Sequence, residues 1–134
     1  MIIIKSPREI DLMREAGRVA ALVFEQVGPM VQPGVSTAFL DEQVERVMRE
    51  NGAIPAEKGY YGYPASVCTS VNEVILHGIP SSKQILRDGD IISLDLVTKK
   101  NGYCGDACRT YEVGICGERQ KRMIAIAKEC FDNA

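Results

Sequence analysis

Apolar positions in the first third of the chain recur at helical spacing. Ile10, Met13, Gly17, Ala20, Phe24 and Val27 follow one stripe, and Leu40, Val44, Val47 and Met48 a second. Ser6-Pro7-Arg8-Glu9 predicts the start of the first helix: a capping Ser, Pro at the first helical position, Glu three residues after the cap. Gly28 and Pro29 blur its end, and Pro33-Gly34 closes the segment. Ser36 or Thr37 caps the second helix and Asn51-Gly52 ends it. Glu118–Phe131 predicts a third, with Met123, Ile126, Ala127 and Cys130 on one side. Ile2–Ile4 reads as a short strand or a docked tail.

The period changes to two between Ile91 and Val113, the stretch around which the chain is organised. Asn101-Gly102 sits between β-rich runs, and both residues of a type I′ loop need φ > 0, which predicts a two-residue hairpin. Lys100 then pairs with Tyr103, and Val97 lies opposite Asp106. One face carries Ile92, Leu94, Leu96, Ala107, Tyr111 and Val113, a set fit for a core. Asp95 and Asp106 fall on the other face as diagonal neighbours, with Cα atoms roughly 7–8 Å apart. Converging carboxylates repel unless a cation lies between them. A divalent metal is one reading; solvated aspartates, or one paired with Arg109, is the other.

Between the helices and the hairpin lie Ser66–Ser70, which reads as a strand, and the Arg87-Asp88-Gly89-Asp90 turn. Gly59-Tyr60-Tyr61-Gly62-Tyr63-Pro64 holds three tyrosines in four residues. It reads as a tight turn with aromatic edges or as a pocket wall. The sole histidine, His77, precedes Gly78 and Pro80. It is therefore a loop or strand-end residue, structural or catalytic. The order helix, helix, strands, helix predicts one α+β domain over residues 1–134, an antiparallel sheet covered on one face by helices.

Composition narrows the function classes. A net charge of −2 leaves no electrostatic footprint for nucleic acid. No apolar run approaches the ~20 residues of a membrane span, and Ile2–Ile4 is too short for a signal-peptide core, so a cytoplasmic protein is expected. The five cysteines are an odd count without CxxC spacing, which argues for free thiols and against structural zinc. Cys104 and Cys108 on one strand would be about 13 Å apart, beyond the roughly 7 Å reach of a bridge.

Together GYYGYP, SVNEVILHGIP, LRDGDIISLDL and NGYCGD resemble the amino-terminal half of the type I methionine aminopeptidases. The resemblance extends from SPREIDLMREAGRVAA to the last helix. It implies half of a pita-bread fold and removal of amino-terminal methionine from nascent proteins. It also implies one or two divalent ions (manganese, cobalt, iron or zinc). By position, Asp95 and Asp106 match metal ligands and His77 a catalytic histidine that contacts substrate. Tyr60, Tyr63 and Cys68 match the wall of the methionine pocket. Asn72 and Val74 match a segment that holds a monovalent cation through backbone carbonyls.

The departures carry as much information. Glu57 and Lys58 replace the small or apolar residues usual before Gly-Tyr. Tyr61 and Cys104 stand where histidines are common. The His and two Glu ligands of the family's second half have no counterpart in residues 1–134, which implies an isolated half that is inactive or weakly active. A complementary half or a homodimer would complete it. The competing expectation is a non-catalytic module that binds peptides or proteins, or a fragment without function.

Overall fold

The computed structural model describes residues 3–134. Among these residues three α-helices and four strands follow in the order α1 (Pro7–Val27), α2 (Thr37–Glu50), β1 (Ile54–Pro55), β2 (Cys68–Val71), β3 (Ile91–Lys100), β4 (Tyr103–Glu112) and α3 (Glu118–Asp132), with short 3-10 turns at Gly28–Met30 and Tyr60–Gly62. Ile3 and Ile4 are outside any strand and exposed, and Ile2 lies outside the described residues. No described helix is long and apolar enough to cross a membrane.

Local chemistry sets the helix ends. Ser6 accepts from the Glu9 amide, and the Glu9 carboxylate accepts from the Ser6 amide at 2.7 Å, a reciprocal cap. At the end of α2 the Gly52 amide donates to Arg49 and the Ala53 amide to Met48, which satisfies two carbonyls that the helix leaves open.

All pairings are antiparallel. β3 is central: β4 runs along one edge, while β1 and β2 share the other. Asn101 and Gly102 have φ of 51° and 84°, so the turn is left-handed at both positions as the Asn-Gly pair requires. Lys100 faces Tyr103, Val97 faces Asp106 and Asp95 faces Cys108, the register expected from that turn. The ladder places Ile92, Leu94 and Leu96 on one face, all fully buried with Val113. α1 and α2 cover this face with Val19, Ala20, Val23, Phe24, Val27, Leu40, Val44, Val47 and Met48.

Three expectations are corrected. Ile10 and Met13 are exposed, and the α1 stripe is completed by Ala16, Val19 and Val23 instead. The hairpin meets this part of α1 through polar side chains: Asn101 Nδ2 donates to the Glu15 carboxylate and the Tyr103 hydroxyl to that of Glu9. The strand expected over Ser66–Ser70 begins only at Cys68, because the Ser66 and Val67 amides donate to Asp41 rather than to a neighbouring strand. Arg109 does not pair with an aspartate. It shares the helix-covered face with Leu94, and its guanidinium lies 5.5 Å from the centre of the Phe24 ring.

Contact between α1 and the hairpin is backbone on backbone. Thr98, fully buried, donates its hydroxyl to the Ala16 carbonyl at 2.8 Å. Opposite it, Gly105 touches α1 so closely that a Cβ would lie 2.6 Å from the Gly17 nitrogen. The ribbon is thus clamped on its covered face. α3 buries none of its residues, and its apolar side borders a shallow groove with Ser70, Ile91, Ser93 and Thr110 on the opposite face.

Candidate active site

That opposite face opens into a cleft of about 610 Å³. Asp95 and Asp106 reach it from β3 and β4, together with Tyr60, Tyr63, Cys68, His77 and Glu57. These are the residues singled out from the sequence, now from separate segments of the chain. All five cysteines are free.

Each wall segment is held by identifiable bonds. Beyond β1 the chain continues along β3, and the Ala56 amide donates to Val97 at 2.8 Å, which sets Glu57 beside the carboxylate pair. Lys58 points the other way, to the Glu45 carboxylate at 2.6 Å. Glu45 also accepts from Ser66 Oγ and from Arg49, and these bonds, Lys58 first, hold its pKa down to about 2. Asp41 and Glu45 therefore moor α2 to both ends of the tyrosine segment. Sequence reading missed this pair, because acidic residues at i and i+4 on the polar side of a helix look like a solvated face.

Tyr63 contributes more than an aromatic surface. Its hydroxyl lies 3.1 Å from the Val67 carbonyl and 3.0 Å from the Gly78 carbonyl, and donates across them. The Gly78 carbonyl also accepts from the Thr69 amide at 2.7 Å, so the loop after His77 lies flat on β2. A Cβ at position 78 would strike the Thr69 carbonyl, and glycine is what permits this approach. His77 itself is left-handed, with φ of 55°. Among described non-glycine residues, only Tyr61, Asn72, His77 and Asn101 have positive φ. Asparagine tolerates that region and histidine is enriched in it, whereas the bulky Tyr61 is an outlier there; Tyr61 and His77 both line the cleft. Asn72 bridges the Asp90 carboxylate and the Ile91 amide, and the Val74 amide donates to Val71 in the same turn.

The cleft is electrostatically unbalanced. Burial raises the pKa of Asp95, repulsion from Asp106 raises it further, and His77 partly offsets both. Burial, then Asp95 and Asp106, push Glu57 up to about 7. Its Oε1 accepts from Cys68 Sγ at 3.8 Å, while Oε2 is buried with no partner. Burial pushes the Cys68 thiol to about 11. No Lys or Arg is among the lining residues. Hard carboxylate oxygens on one face fit a divalent cation in kind. In number they fall short: among the described residues no group of three or more His, Cys, Asp or Glu is placed to hold a metal. Asp95 and Asp106 by themselves are two carboxylates and not a closed ligand set.

Comparison with known proteins gives the family. The model of metallopeptidase family M24 matches residues 11–134. Methionine aminopeptidase 1 of Bacillus subtilis is 49% identical over 129 residues, covering 96% of this chain and 52% of that protein. The methionine aminopeptidase of Escherichia coli K12 is 47% identical over 126 residues, covering 91% and 48%. The crystal structure of methionine aminopeptidase from Thermotoga maritima superposes with a TM-score of 0.96 at 35% identity, over 99% of this chain and 53% of that one. Prolidase from Pyrococcus furiosus gives 0.82 at 28% identity, over 95% and 36%. The chain spans about half the length of the curated relatives it matches. With its sheet and these matches in agreement, the chain belongs to metallopeptidase family M24 and corresponds to the amino-terminal half of a methionine aminopeptidase, half of a pita-bread fold.

Proposed function

We propose that this chain supplies the substrate wall and two metal-binding carboxylates of a cytoplasmic enzyme that removes amino-terminal methionine from nascent proteins. The supporting observation is the convergence of Asp95, Asp106, His77, Tyr60, Tyr63 and Cys68 on one cleft. Asp95 and Asp106 would hold the divalent ion (manganese, cobalt, iron or zinc). Such an ion, when bound, polarises the scissile carbonyl as a Lewis acid. His77 donates from its ring to the developing tetrahedral oxygen or the peptide nitrogen. Tyr60, Tyr63 and Cys68 seat the first side chain and exclude water. The carbonyls of Asn72 and Val74 hold a monovalent cation that stiffens the turn before His77.

Two carboxylates do not close a metal site, so the chain alone is inactive or weakly active. What completes it is a complementary half, because the matched relatives are about twice as long and Ile75, Ile79, Met123 and Phe131 stand exposed. The test is methionine release from a Met-Ala-Ser peptide with manganese or cobalt, by the chain alone and with a complementary half in trans. Release only with both halves, and lost in Asp106→Asn, is expected. No release in either arm would leave the non-catalytic binding module in its place. Light scattering reads the other completion, in which a stable dimer of the isolated chain would put a second copy on the open face.

A further inference from the structure

The tyrosine wall of the cleft is a loop, and one residue outside the loop holds both of its ends. Within the turn the backbone bonds are local: the Gly59 amide donates to Tyr63, and the Tyr63 amide to Tyr60. Such bonds shape the turn and leave its placement on the protein open. Lys58 and Ser66 bracket the three tyrosines. Lys58 Nζ and Ser66 Oγ donate to the same atom, Glu45 Oε2, at 2.6 and 2.8 Å. Arg49, one turn further along α2, donates to Oε1 from Nε at 2.8 Å and Nη2 at 2.6 Å. Both oxygens are engaged, so the carboxylate is held in one orientation.

Asp41 differs in kind. It accepts from the Ser66 and Val67 amides and fixes only the end of the loop that leads into β2. Glu45 joins that end to the entry at Lys58. Ion pairs at a surface contribute little, but the Glu45 side chain is only 20% exposed and its donors include charged ones. Ser66 is fully buried, and without Glu45 its hydroxyl loses this acceptor. Lys58, a departure from the small or apolar residues usual before Gly-Tyr, thus has a use as the second arm of the bridge. The loop carries Tyr60 and Tyr63 into the cleft. Asp95 and Asp106 stand on the β3–β4 ribbon, outside this set of bonds.

Resting on the aminopeptidase reading, we propose that Glu45 is a positioning residue for the methionine pocket. By drawing Lys58 and Ser66 onto one oxygen it holds Tyr60 and Tyr63 where the first side chain of the substrate packs. It acts through the wall and touches neither substrate nor metal. A wall that drifts loses apolar contact equally in the ground state and the transition state, so the effect falls on KM and not on kcat.

The test measures kcat and KM for methionine release from Met-Ala-Ser with manganese, by the full chain with the complementary half in trans. Glu45→Gln keeps shape and loses charge. It is expected to raise KM about tenfold, the scale of one charged hydrogen bond, with kcat within about twofold of wild type. Lys58→Met removes one arm and should raise KM about threefold. The double variant should match Glu45→Gln, because both changes break the same bridge. Chymotrypsin on the metal-free full chain reads the loop itself: cleavage after Tyr60 and Tyr61 should quicken in Glu45→Gln, while cleavage after Phe131 in α3 stays as in wild type. Circular dichroism checks the fold, and Lys58→Met decides if Glu45→Gln fails to fold. An unchanged KM overturns the proposal, as does a loss of kcat at constant KM or a double variant in which the two effects multiply. Cleavage that quickens equally at all three sites reports a general loss of stability and overturns it too. A wild type that releases no methionine even with the complementary half removes the aminopeptidase reading itself, and the proposal falls with it.

Discussion

The two faces of the β3–β4 ribbon are built from alternate residues of the same strands, yet they obey different rules. On the helix-covered face Ile92, Leu94 and Leu96 are fully buried, the Thr98 hydroxyl is satisfied, and Gly105 admits α1 to van der Waals contact. On the cleft face Asp95 and Asp106 repel one another, and Glu57 nearby keeps an oxygen without a partner. The buried positions on the first face contribute to stability. The second face spends some of that stability on holding like charges together. A ribbon free to twist would relieve the repulsion by splaying; one clamped along its other side cannot.

The largest effect should come from breaking the covered face. Leu96→Ala removes a fully buried side chain from the ribbon's centre and should cost roughly 2–5 kcal/mol in urea unfolding. Next is the clamp. Gly105→Ala places a methyl against the backbone of Gly17, which cannot yield as a side chain would, so a loss of about 1–3 kcal/mol is expected by the same measurement.

The cleft face should respond in the opposite direction. Asp95→Asn removes a half-buried carboxylate that burial and Asp106 both disfavour. Without metal it should raise stability by up to about 1 kcal/mol, after allowance for solvent screening. The same substitution should abolish the heat of manganese binding, which we expect to be weak in the wild type. Tight, sub-micromolar binding that survives Asp106→Asn would remove the pair as ligands.

The smallest effect is in pH. Glu57 holds its proton to about pH 7 in the folded protein, against 4.5 for an unperturbed glutamate. Folding therefore takes up a proton between those values, and the unfolded state binds fewer. Its contribution to stability is full below pH 4.5 and is lost as pH rises through 7. Screening of this half-exposed group limits the loss to on the order of 1 kcal/mol. Metal-free unfolding curves of wild type and Glu57→Gln, compared across that range, should differ in slope, with the variant flatter.

Features that rest on local chemistry were legible in the sequence. The Ser6 cap and the Asn101-Gly102 turn each depend on a few adjacent residues, and the turn alone set the ladder that brings Asp95 diagonal to Asp106. The family motifs marked the cleft residues by position. What escaped depended on distant packing. Ile10 and Met13 have the right spacing for a core yet stand exposed, since spacing does not report which elements pack over that part of the helix. Ser66 and Val67 have strand-like neighbours, but the Asp41 carboxylate from another element takes their amides. Glu57 stood out only as a departure from the family's motif. Its burial follows from the bond between Ala56 and Val97, which no pattern within that segment announces.

The Asn101-Gly102 turn also has a consequence in time. Hairpin closure over a two-residue loop takes on the order of microseconds and needs no distant partner. Asp95 and Asp106 can thus come face to face early, while the mooring of the tyrosine segment to α2 and of Gly78 to β2 waits on longer loops. For that interval the carboxylate pair is open to solvent on a ribbon with no wall around it. A divalent ion present during folding would meet both carboxylates before the cleft around them exists.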